Sequence, residues 1–141
     1  MLRPSLAALG LAALVGIAPG GPSFADSRVP FALEVENATA RVGQPTAVRA
    51  TIIPPEGMRL TSVYRHRLID LSAFEDRGVQ FADEVVIGTV QDDGRLVFEV
   101  GVTPTEPGAH PINGVMRVSF INGNKSESKS IPLIATVTGT E

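Results

Sequence analysis

The sequence predicts an all-β sandwich, on three observations. Apolar residues recur at every second position through most of the chain after residue 25, the period of a half-buried strand. Groups of Pro, Gly, Asn and Asp break that alternation every ~8–12 residues, the spacing of short strands in a two-sheet fold. No stretch shows the 3.6-residue period of an amphipathic helix.

Taken in order, residues 1–25 read as a signal peptide. Arg3 is followed by an apolar run from Leu6 to Ala18 and a break at Pro19–Pro22, and Ser23 and Ala25 supply small residues at −3 and −1 of a cleavage site. The apolar run falls short of the ~20 residues of a membrane span. The mature domain is expected to be residues 26–141, periplasmic or secreted, with no span of its own.

The first strand places Phe31, Leu33 and Val35 on one face, with Glu34 and Glu36 opposite. Val48, Ala50 and Ile52 repeat the pattern until Pro54-Pro55-Glu56-Gly57, where Pro cannot donate to a ladder and Gly permits positive φ. Leu60 to Leu71 reads as one long extended stretch with a polar centre at Tyr64-Arg65-His66-Arg67. Phe81–Ile87 and Arg95–Thr103 flank Asp92-Asp93-Gly94, a hairpin signal. Leu96, Phe98, Val100 and Val102 form the cleanest inward row. After the breaker Pro104–Pro107, Asn113–Ile121 resumes with Met116, Val118 and Phe120 on one face. The turn Asn122-Gly123-Asn124 leads to Ile131, Leu133, Ala135 and Val137. Seven or eight such strands make an immunoglobulin-like β-sandwich.

Composition excludes several functions. The chain has no cysteine, so it has no disulfide, no thiol redox chemistry and no thiolate metal ligand. Beyond the leader it carries 11 Lys/Arg against 15 Asp/Glu, a net charge of −4 that disfavours a nucleic-acid partner. Its two histidines, His66 and His110, are too few for a metal site of three or four ligands, and His66 lies between two arginines. Ser62, Ser72 and Ser119 stand in no nucleophile elbow. Asp92-Asp93-Gly94 is turn chemistry, and no Asp-x-Asp-x-Asp spacing for calcium is present. Asn37-Ala38-Thr39 and Asn124-Lys125-Ser126 match glycosylation acceptors but read as turn residues. No catalytic residue, metal or cofactor is expected.

The candidate binding residues are Tyr64, Arg65, His66 and Arg67, with Asn122, Asn124 and Lys125. Strand alternation puts Tyr64 and His66 on one face and both arginines on the other. Two adjacent outward arginines can grip a carboxylate bidentately, or simply form a solvated strand face. The polar stretch Asn122–Lys129 is expected to be a mobile hairpin and a candidate binding loop, with Pro54–Met58 as a second.

Pro54-Pro55-Glu56-Gly57-Met58, Tyr64-Arg65-His66-Arg67-Leu68, Gly78-Val79-Gln80-Phe81 and Asn113–Phe120 together resemble the amino-terminal immunoglobulin-like domain of the thiol:disulfide interchange protein DsbD and the disulfide bond corrector family. The resemblance spans residues 30–138. It implies a periplasmic scaffold that docks other proteins. In that family a hairpin after this late strand bears two cysteines, where this chain has Ile121-Asn122-Gly123-Asn124-Lys125-Ser126-Glu127-Ser128. The family's reductase activity therefore does not carry over.

Three function classes follow. The first is a non-catalytic exported domain that docks another periplasmic protein. The second, implied by the resemblance, is an accessory or carrier in redox or cofactor traffic, with the chemistry in its partner. The third is an enzyme, which requires a pocket of ~300 Å³ or more with convergent polar groups.

Overall fold

A computed structural model describes residues 31–141; the expected signal peptide lies outside the described residues. The strands are β1 (Ala32–Glu36), β2 (Ala38–Arg41), β3 (Thr46–Ile53), β4 (Met58–Leu60), β5 (Arg67–Ala73), β6 (Val79–Phe81), β7 (Val86–Ile87), β8 (Thr89–Val90), β9 (Leu96–Pro104), β10 (Gly108–Asn122) and β11 (Lys125–Thr140). Among the described residues there is no α-helix, only a single 3₁₀ turn at Phe74–Asp76.

The strands form two sheets. The smaller has the order β1-β3-β9-β6, with β8 also on β9. The larger runs β2-β11-β10-β5-β7, with β4 also on β10. Their inner faces carry the alternating apolar rows. Val48, Ala50, Ile52, Leu96, Phe98, Val100 and Val102 from the smaller sheet meet Met116, Val118, Phe120, Ile131, Leu133, Ala135 and Val137 from the larger, and all are buried. Phe31 stacks on Phe120 across the layers, ring centroids 5.6 Å apart. With no disulfide, this apolar contact between sheets is the main source of stability.

The strands outnumber the seven or eight expected because the chain changes sheets where its alternation continues. At Asn37 it leaves the smaller sheet as β1 and enters the larger as β2, parallel to β11. Asn37 Oδ1 accepts the Thr136 N–H at 2.9 Å and bridges the gap at the crossing. Residues 79–90 divide in the same way: β6 and β8 pair with β9, but β7 between them pairs with β5. A period of two marks which residues point inward, not which sheet they join.

Residues 108–140 form one long hairpin of 15 and 16 residues, longer than the Asn113–Ile121 and Ile131–Val137 strands expected. Asn122 faces Lys125, so Gly123-Asn124 is a two-residue turn, and Gly123 takes φ +65 at its first central position as a type II′ turn requires. Two prolines sit inside the hairpin without breaking it. Pro111 faces Thr136 and Pro132 faces Val115. By the alternation of the ladder, the missing N–H of each points away from the other strand of the hairpin.

Candidate functional site

The strands β4 and β5 lie end to end along the same side of β10, Leu60 opposite Phe120 and Leu68 opposite Met116. Between them the chain does not continue as the single strand expected. Residues 61–66 bow outward over Ser119 and return, and Ser119 is buried beneath them at 3% exposure.

Polar contacts hold this loop. The Thr61 N–H donates to Ser119 O at 3.0 Å, and the two hydroxyls are 3.0 Å apart. His66, 2% exposed, receives the Ser119 N–H on Nδ1 at 3.3 Å and directs Nε2 to Thr61 O at 2.9 Å. An accepting Nδ1 places the ring proton on Nε2, where it donates to Thr61 O. The Gly88 N–H closes the set on His66 O at 2.8 Å. Burial of the ring lowers the His66 pKa below the ordinary histidine range, partly offset by the bond to Thr61 O.

The alternation expected along Tyr64–Arg67 is therefore met by a loop rather than a strand. His66 is a pin inside it. Tyr64, half-buried, leans on the His66 ring at a centroid distance of 5.2 Å. Arg65 is exposed, and Val63 stands free at 89% exposure. Arg67, the first residue of β5, turns its Nη1 to Arg65 O at 3.4 Å, so the two guanidiniums do not form a matched pair. Asn122, Asn124 and Lys125 are exposed at the hairpin tip, where Asn122 pairs with Met58 of β4. Both sets of residues thus occupy one end of the larger sheet. Sequence reasoning missed Thr61 and Val63, and weighed Ser119 only as a nucleophile. No local pattern announces them, because the loop's grip on Ser119 joins positions more than fifty residues apart.

A second concavity lies beside β5. A groove of about 640 Å³ is lined by Ile69, Asp70, Leu71, Phe81, Ala82, Asp83, Glu84 and Val85. A bulge shapes it. Asp70 takes φ +57, and the register shifts opposite Gly114. There a Cβ would come within 2.8 Å of Leu68 Cδ1. The groove exceeds the ~300 Å³ of a typical ligand site. Its titratable lining is carboxylate only, with no histidine, hydroxyl or cation to act with it. Among the described residues no three His, Asp or Glu side chains converge to hold a metal. His110 lies within β10, its Nε2 on Glu106 O at 2.8 Å. Asp93 Oδ1 accepts the Arg95 N–H in the β8–β9 turn, as turn chemistry demands.

The fold and this geometry define a cysteine-free all-β sandwich with a pinned loop on one sheet. No protein-family profile and no curated protein matches the chain. Among solved structures it is similar to AggA, the major subunit of aggregative adherence fimbriae type I from Escherichia coli. The identity is 16% over 79% of this chain and 95% of that one, with a TM-score of 0.41. Likeness at this level says nothing of what the chain binds. The expected kinship with the DsbD and disulfide bond corrector family is corrected by these findings, since no family profile and no curated protein is matched. The short motifs behind it, Pro-Pro-x-Gly and Gly-Val-Gln-Phe, belong to turns and edge strands that many sandwiches build alike. Among the described residues no helix is long and apolar enough to cross a membrane.

Proposed function

We propose that this chain is a non-catalytic, exported interaction domain that docks another protein through the loop of residues 62–66. The supporting observation is the combination at that loop. Val63 is almost fully exposed beside Tyr64 and Arg65, on a backbone already held by His66 and Ser119. A preordered loop loses little conformational entropy on binding. Tyr and Arg are enriched among the side chains that dominate interface energies, and exposed Val63 adds apolar area beside them. Asn122, Asn124 and Lys125 at the same end supply a polar rim. The carrier reading loses the family resemblance on which it stood. The groove beside β5 sets no histidine, hydroxyl or cation beside its carboxylates.

Capture from periplasmic extract tests the proposal. The exported chain should retain one stoichiometric partner, and Val63→Asp and Arg65→Ala should each weaken it by ~10-fold or more, about 1.4 kcal/mol. Asp83→Asn, in the groove, should leave capture unchanged. Equal capture by wild type and both loop variants removes the proposal's support.

A further inference from the structure

The outer edge of β11 is only partly covered. Among the described residues β2 pairs with it over Val137–Thr140, and Asn37 caps the Thr136 N–H. From Lys125 to Ala135 no strand of the described residues lies on that side. The direction of the free groups follows from the same contacts. The Thr136 N–H and Thr140 O both point outward, to Asn37 and Val42. By alternation the outward backbone groups are those of Ser126, Ser128, Ser130 and Ile134, while Pro132 offers no N–H. An exposed row of this kind is a template for another strand.

We infer that the template is occupied by a second copy of the same edge, antiparallel about a two-fold axis at Ser128. Three features of the sequence and fold select this register. The segment Ser126-Glu127-Ser128-Lys129-Ser130 becomes self-complementary, because Glu127 of each copy lies opposite Lys129 of the other, in the non-hydrogen-bonded pairs where side chains approach most closely. Within one chain these two already share a face, 3.5 Å apart, so two copies bring four alternating charges together. Next, Pro132 falls opposite Asn124 in the partner copy's turn, so its missing donor lies at the end of the ladder. Finally, each hairpin tip, Gly123, reaches Leu133 of the other copy and stops short of Thr136, where Asn37 and then β2 take over the edge. Moving the axis to Ser130 drives the tip into β2 and places Glu127 opposite Leu133. Moving it to Ser126 keeps a Lys125–Glu127 match but shortens the ladder. The result is isologous, the same patch on both copies, and closes at two. It joins two six-stranded sheets into one. The 62–66 loop lies across β10 at the other edge of the same sheet, and only Asn124 and Lys125 of its polar rim fall within this surface.

The absence of native cysteine makes the test clean. In the exported chain, Ser128→Cys should cross-link to itself readily under mild oxidation. The two Cα atoms of a hydrogen-bonded pair lie ~5.5 Å apart, inside the range of a disulfide. Ser126→Cys and Ser130→Cys should each cross-link poorly alone and well when mixed. Sedimentation should show a dimer whose dissociation constant rises ~10-fold or more in Glu127→Lys and recovers to within ~3-fold in Glu127→Lys/Lys129→Glu. Ser128→Pro should give a monomer whose urea stability matches that of the wild type diluted below its dissociation constant, because its lost N–H is not part of the β10–β11 ladder. A chain that stays monomeric at ~100 μM and whose Ser128→Cys form cross-links no faster than Ser126→Cys overturns the inference. So does a Ser128→Pro variant that still dimerises, or one that loses capture of a different protein instead of self-association. The loop is tested separately, by capture with its own variants Val63→Asp and Arg65→Ala.

Discussion

His66 shows how one side chain can order a segment that its neighbours in sequence would leave extended. Its two ring nitrogens face a donor and an acceptor, Ser119 N–H and Thr61 O, and only the neutral ring satisfies both. A proton added to Nδ1 would point at the Ser119 N–H. Burial lowers the pKa of the folded state below that of the unfolded chain. Below about pH 6.5 the unfolded chain therefore binds a proton that the folded one resists, and stability falls as the pH falls. The urea midpoint should be flat from pH 8 to 7 and decline from pH 6.5 toward 5. In His66→Gln the decline over that range should shrink. A wild-type profile without it would mean that the ring is not held neutral.

β9 is the element on which the smaller sheet depends. It has β3 on one side and β6 and β8 on the other, and sends Leu96, Phe98, Val100 and Val102 into the core. Phe98→Ala should cost ~3–5 kcal/mol, from lost burial and the cavity left behind. Glu99, the next residue, pairs with Arg49 across the outer face, but both side chains are about half exposed. Glu99→Ala should therefore cost no more than ~1 kcal/mol. Denaturant unfolding of the two variants measures the contrast. Comparable losses at both positions would mean that Phe98 does not fill the core as described. The alternation that marks Phe98 was plain in the sequence, and so were the inward rows of β1, β3, β10 and β11. The division of residues 79–90 among three strands was not, because Val86 is buried and Ile87 exposed whichever sheet they join.

At the scale of the molecule, the two proposed surfaces lie on opposite sides of the larger sheet. A dimer through β11 therefore leaves both 62–66 loops free and makes the assembly bivalent. On a surface dense in the captured partner, Ser128→Pro should lower apparent affinity well beyond its effect on binding one partner in solution. Surface-density titration by plasmon resonance reads this directly. Equal apparent affinities of wild type and Ser128→Pro at every density would show that the two surfaces do not act together.

Residue order alone determined the fold class, the inward rows and most turns, because burial acts on every second side chain and turn chemistry is local. It also carried the self-complementary charges of residues 126–130, although their meaning depends on an edge that only the topology exposes. The tertiary structure decided which sheet each strand joined and turned the expected strand through His66 into a loop. It also buried Ser119 and, among the described residues, left the outer edge of β11 unpaired from Lys125 to Ala135. Those outcomes depend on contacts between segments far apart in the chain, such as Asn37 with Thr136 and His66 with Ser119, and no local period encodes them.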